Sequence, residues 1–138
     1  MDILNVLEKA TQINSVSGSE NEIRKFISDN VKKYCDELSV DAMGNLIAHK
    51  KGSGKKIMFA AHMDEIGIIV TDIDDKGFVR FSSVGGLNLR NLVNLRVRFA
   101  NGVEGVIGAE EESFKDKPAI SKLYVDLGAA DKKEAEKI

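Results

Sequence analysis

One string in this chain carries residue types at a spacing suited to chemistry: Ile57-Met58-Phe59-Ala60-Ala61-His62-Met63-Asp64-Glu65-Ile66-Gly67. Neutral imidazole is the commonest metal-ligating side chain, and a nearby carboxylate can fix its tautomer through the other ring nitrogen. The apolar run before His62 predicts a buried strand over residues 57–61. A strand ending in His-x-Asp places the imidazole at the sheet edge where open α/β sheets bind ligands. The competing reading is a histidine at a strand end, satisfied by its neighbours and without a ligand. On the residues alone both readings stay open.

The other residue types capable of chemistry are weaker candidates. His49 falls in a polar hairpin. Glu110-Glu111-Glu112 reads as a solvated charge run. Cys35 has no histidine or basic neighbour to lower its pKa and reads as a small core residue.

The elements that must position His62 and Asp64 follow the hydrophobic pattern. Ile3, Leu4, Val6, Leu7 and Ala10 lie at helical spacing over residues 2–12. Ser19 with Glu22 predicts a capping box, and the helix it opens should bury Ile23, Phe26, Ile27, Val31 and Tyr34 and end near Asp36. Residues 38–41 and 46–49 read as a hairpin around a turn at 42–45, where Gly44 and Asn45 tolerate positive φ. Lys50 to Lys56 is a basic, Gly-containing loop. Beyond His62 the pattern changes. Residues 66–73, 77–82, 92–100, 103–107 and 123–127 are β-rich runs, with Asp74-Asp75-Lys76-Gly77 and Asn101-Gly102 as hairpin turn signals. Closely spaced antiparallel strands of this kind predict a small barrel or barrel-like sheet. Glu110 to Ala119, with the only proline, Pro118, reads as an exposed loop. The expected organisation is an α/β part over 1–65, a β part over 66–127, and the start of a helix over 128–138.

Bulk properties exclude several classes. The chain has 138 residues, of which 43% are hydrophobic, so one ordinary domain with a real core is within reach. Its formal net charge of -2 lacks the basic excess of a nucleic-acid surface. A single cysteine rules out an intrachain disulfide framework and fits a reducing compartment. No apolar stretch approaches a membrane span and no signal-peptide pattern opens the chain, so a cytoplasmic location is expected.

Several segments match one known family in order and spacing. They are Ser15-Val16-Ser17-Gly18, Asp41-Ala42-Met43-Gly44-Asn45-Leu46-Ile47-Ala48, Ala61-His62-Met63-Asp64-Glu65-Ile66-Gly67, Val84-Gly85-Gly86, Gly105-Val106-Ile107-Gly108 and Val125-Asp126-Leu127-Gly128-Ala129. On these the chain resembles the TET-type metallo-aminopeptidases, a branch of the dinuclear-zinc exopeptidases that includes glutamyl and deblocking aminopeptidases. Some members carry endoglucanase or cellulase labels. The resemblance implies an α/β catalytic domain interrupted, after His62-Met63-Asp64-Glu65, by an inserted, mostly antiparallel β-barrel-like domain that mediates dimerisation. It implies a metal-ligand role for His62 and a positioning role for Asp64, which hydrogen-bonds that histidine. It also implies two divalent metal ions, zinc or cobalt, a peptide substrate, and a homo-oligomer formed through the β domain; charge and hydropathy add the expectation of no nucleic-acid or membrane partner.

The family's remaining ligands, and the glutamate that serves as its general base, lie after the insertion, and this sequence ends before them. His49 and Glu110-Glu111-Glu112 do not match those positions. The resemblance therefore implies the N-terminal part of a metallo-aminopeptidase, which by itself binds no metal tightly and is inactive. The alternative is a folded non-catalytic module that self-associates through its β part.

Overall fold

The computed structural model describes residues 2–110 and 119–138. The chain divides into two compact units, Met1–Glu65 and Ile66–Ile138.

In the first unit, helix α1 spans Ile3–Thr11 and starts at Asp2, whose carboxylate accepts the N–H groups of Leu4 and Asn5. That side chain satisfies two donors that have no partner within the helix. Helix α2 spans Asn21–Val31 and buries Ile23. A single 3-10 turn, Lys32–Tyr34, follows it, so the α-helix stops short of Asp36 and Tyr34 is exposed. The predicted capping box does not form. Glu20 occupies the N-cap position without a side-chain cap, and its carboxylate takes the Gly18 N–H instead. The Ser19 N–H, which Glu22 would have accepted, already donates to the Val16 carbonyl at 2.8 Å, and the helix starts one residue later.

Strands β1 (Glu37–Val40) and β2 (Leu46–His49) pair antiparallel from Glu37 opposite His49 to Val40 opposite Leu46. The turn between them is held by Asp41, whose carboxylate accepts from the Met43 N–H, the Asn45 N–H and the Asn45 side-chain amide. Gly44 sits at φ +86°, a conformation that favours glycine. Arg24 of α2 donates to the Gly44 carbonyl at 2.8 Å and so ties helix to hairpin.

The strand expected over residues 57–61 is absent. The segment is irregular, and Ile57, Met58 and Phe59 are 78%, 87% and 94% exposed. An apolar run becomes a strand only when a neighbour supplies the ladder of backbone hydrogen bonds. Within this unit β1 and β2 already pair with each other, and no other described strand stands beside residues 57–61.

The second unit is a five-stranded antiparallel sheet in the order β3-β4-β7-β6-β5. The strands are β3 (Gly67–Ile73), β4 (Val79–Val84), β5 (Arg96–Arg98), β6 (Glu104–Ala109) and β7 (Leu123–Asp126). Among the described residues β3 and β5 are the outer strands and do not pair with each other. The turn at residues 74–77 places Gly77 at φ +83°, and the Asp74 N–H donates to the Phe78 carbonyl. The run predicted over 92–100 shortens to β5. Asn94 adopts φ +69°, and the Leu95 N–H folds back onto the Leu92 carbonyl, so the chain turns before the strand begins. Leu92 becomes core instead, beside Val79, Phe81, Ile107, Leu123 and Val125. Leu123 and Val125 have no exposed surface, and burying such a side chain is worth about 1.5–3 kcal/mol. Helix α3 is short, Lys132–Ala135, with Asp131 accepting the Glu134 N–H at its start. The expected loop over Glu110 to Ala119 lies largely outside the described residues.

Candidate metal-ligand site

The His62 segment is held by a second stretch of chain, Ser15 to Ser17. The Glu65 N–H donates to the Ser15 carbonyl at 2.9 Å, and the Ser17 N–H donates to the Glu65 carbonyl at 3.3 Å. Val16 and Glu65 form a parallel β-bridge. The Ser15 N–H donates in turn to the Glu65 carboxylate at 2.9 Å, and Ser15 is the buried polar residue of this unit. These bonds place Asp64 beside Ser17, whose hydroxyl donates to Asp64 Oδ2 at 2.5 Å.

The other carboxylate oxygen faces the imidazole. His62 Nδ1 lies 3.2 Å from Asp64 Oδ1 and 3.0 Å from the Asp64 backbone carbonyl. Nδ1 is hydrogen-bonded to the carbonyl, and the negative carboxylate 3.2 Å away adds to the preference for a proton there. That leaves the Nε2 lone pair available on a ring that is 86% exposed. The Ser17 hydroxyl is the main influence holding the Asp64 carboxyl below the usual aspartate range. Partial desolvation opposes it, and the Asp64 backbone and His62 add smaller lowering contributions. A carboxylate that stays ionised keeps a negative charge beside Nδ1.

Beside this segment lies a cavity of about 420 Å³. Val6 and Ala10 of α1, Ile23, Phe26 and Ile27 of α2, and residues 62–65 all contribute to its wall. Its lining is mainly apolar, so it does not by itself supply catalytic groups.

The structure brings His62 and Asp64 together, as their spacing suggests. It keeps the other candidates apart from any metal-ligand cluster. His49 Nδ1 lies 3.1 Å from Glu37 across the hairpin. Glu110 bridges Arg80 and Lys122, each at 2.9–3.0 Å, whereas Glu111 and Glu112 lie outside the described residues. Cys35 is half-buried. Among the described residues no group of three His, Cys, Asp or Glu side chains could hold a metal ion. Sequence reasoning assigned no role to Ser17 or to the Glu65 carboxylate. The available signal was the Ser15-Val16-Ser17-Gly18 string, which has hydroxyls two residues apart before a glycine.

Residues 44–138 match the family described as M42 glutamyl aminopeptidase. A candidate aminopeptidase of Acetivibrio thermocellus is 52% identical over 99% of this chain and 42% of its own length. The lysyl aminopeptidase of Pyrococcus furiosus is 36% identical over 96% of this chain and 42% of its own. Among solved structures, the Pyrococcus horikoshii TET1 peptidase, which can assemble into a tetrahedron or a large octahedral shell, superposes with a TM-score of 0.81. It is 37% identical, over 99% of this chain and 44% of that one. The chain belongs to the M42 glutamyl aminopeptidase family, and it spans about two-fifths of the length of these relatives.

Proposed function

We propose that this chain is the N-terminal part of a metal-dependent aminopeptidase, to which it contributes His62 as a metal ligand and Asp64 as the group that orients it. The observation that carries this reading is the His62–Asp64 contact, with Nδ1 facing the carboxylate and Nε2 left available. The family implies two divalent ions, zinc or cobalt, and this donor set supplies part of one such site. One imidazole fits one ligand position, whereas a catalytic zinc takes about three protein ligands. The described residues therefore do not make a complete site.

When bound, such ions polarise a scissile carbonyl and acidify water. This chain's own residues hold a ring and fix its proton on Nδ1, the support that ligating histidines generally receive. The substrate would be a peptide with a free N-terminus. The β unit would be the inserted, barrel-like dimerisation domain. The exposed Ile66, Ile69 and Val70, at or next to the outer strand β3, support an association surface there. The exposed Ile57-Met58-Phe59 run supports a second reading, a non-catalytic module that self-associates.

Peptide hydrolysis tests the choice. With zinc or cobalt added, the 138-residue chain is expected to release no N-terminal residue. A polypeptide extended by the family's C-terminal part should release it, with activity abolished by His62→Ala and lowered about 10–100-fold by Asp64→Asn. Metal-dependent release by the 138-residue chain alone, lost in His62→Ala, overturns the reading.

A further inference from the structure

We propose that Ser17 is a positioning residue for this site: its hydroxyl anchors Asp64 so that the carboxylate keeps the proton of His62 on Nδ1. The inference rests on reading His62 as a ligand and adds a residue to that reading.

Asp64 has two carboxylate oxygens with separate tasks. Oδ2 accepts from Ser17 Oγ, and Oδ1 faces the imidazole. The Asp64 side chain is 37% exposed and the ring it faces 86% exposed, so packing alone does little to fix either rotamer. A side chain in that situation populates several staggered wells unless a directed bond selects one. The Ser17 hydroxyl is such a bond, and it comes from a part of the chain that is itself fixed. Ser17 lies in a turn closed by the Ser19 N–H on the Val16 carbonyl, with Gly18 at φ +91°. The Val16–Glu65 bridge and the Ser15–Glu65 bonds tie that turn to the residue after Asp64.

Ser17 therefore does more than join two segments. The backbone bonds already join them. The hydroxyl adds the orientation of one carboxylate. The Asp64 carbonyl is the hydrogen-bond acceptor at Nδ1 and the carboxylate acts there through its charge, so removing the hydroxyl should shift the proton balance between the ring nitrogens rather than invert it.

The test reads the ring directly in the metal-free 138-residue chain. Imidazole ¹⁵N shifts of His62 are recorded above the pH at which the ring is neutral. The wild type and Ser17→Thr are expected to hold mainly the Nδ1–H tautomer. Ser17→Ala should move the population toward Nε2–H, and Asp64→Ala should move it at least as far. Unchanged hydrogen exchange at the Glu65 amide shows that the backbone clamp survives. If Ser17→Ala loosens that clamp, Ser17→Cys replaces it, keeping a similar shape with a weaker donor. An unchanged tautomer in the variant with an intact clamp overturns the proposal, as does Ser17→Thr behaving like Ser17→Ala. Failure of the ligand reading is separate, because it appears as full activity of His62→Ala in the extended polypeptide.

Discussion

The two units of this chain solve the burial problem to different degrees. The Ile66–Ile138 unit has six buried apolar residues in one cluster, contributed by β4, β6, β7 and Leu92. Among the described residues of the Met1–Glu65 unit only Ile23 and Ser15 are buried, and Ile3, Leu4, Leu7 and the 57–59 run lie largely in water. Both have similar raw material in apolar residues. The difference lies in sequence separation and in partners. Antiparallel strands joined by short turns close a sheet from local pairings, so each apolar face meets another made nearby. An α/β layer needs a sheet for its helices to cover. In the first unit the sheet is one hairpin, and the apolar run best suited to extend it has no strand beside it.

That contrast predicts where stability resides. The largest effect is expected for Leu123→Ala in β7, which removes a fully buried side chain and should cost about 2–5 kcal/mol by hydrogen exchange at second-unit amides. Ile23→Ala, next to the apolar cavity, should cost less, at about 2 kcal/mol or below, and should act on first-unit amides. Equal losses at the two sites, or a loss at Ile23 that exceeds the one at Leu123, would break the comparison.

An intermediate effect concerns acid. Asp74 loses solvation on folding. The Arg80 guanidinium and the N–H groups of Phe78 and Lys76 outweigh that cost and hold its carboxyl below the ordinary 3.8. A depressed folded pKa contributes stability that is complete above the unfolded value and drains away as pH falls through the folded one, here below about pH 4. Asp74→Asn should therefore destabilise the second unit at pH 7 and flatten its loss of Tm toward pH 3. An acid limb identical to wild type would show that the turn carboxylate is not what the second unit loses in acid.

The smallest effect on stability should come from Phe59→Ser, because the ring is 94% exposed. A change within about ±0.5 kcal/mol is expected, together with weaker concentration-dependent association by light scattering, since an exposed apolar run promotes contact. A large stability loss would mean that residues 57–59 are packed in solution and that the first unit closes its core after all.

Much of the organisation was legible because it depends on local chemistry. The β1–β2 hairpin follows from the Asp41-to-Asn45 turn, whose side chains satisfy its own backbone. The turns at Gly77 and Gly102 follow from residues that tolerate positive φ. The errors arose where a choice among acceptors or partners was involved. Ser19 and Glu22 have the capping-box spacing, yet the Ser19 N–H is taken by the Val16 carbonyl. Residues 92–100 had a strand-like composition, yet Asn94 turned the chain and sent Leu92 into the core.

The site divides along the same line. Two residues of separation suffice to let a carboxylate reach an imidazole on an extended segment, and the His62-Met63-Asp64 string carried that much by itself. Tertiary structure alone decided that Ser17, 47 residues away in sequence, donates to the second oxygen of the same carboxylate. It also decided that the apolar run before His62 stays unpaired. Hydrogen bonds between distant segments, and the ladder that turns an apolar run into a strand, are properties of pairs, and a sequence pattern records only one member of each pair at a time.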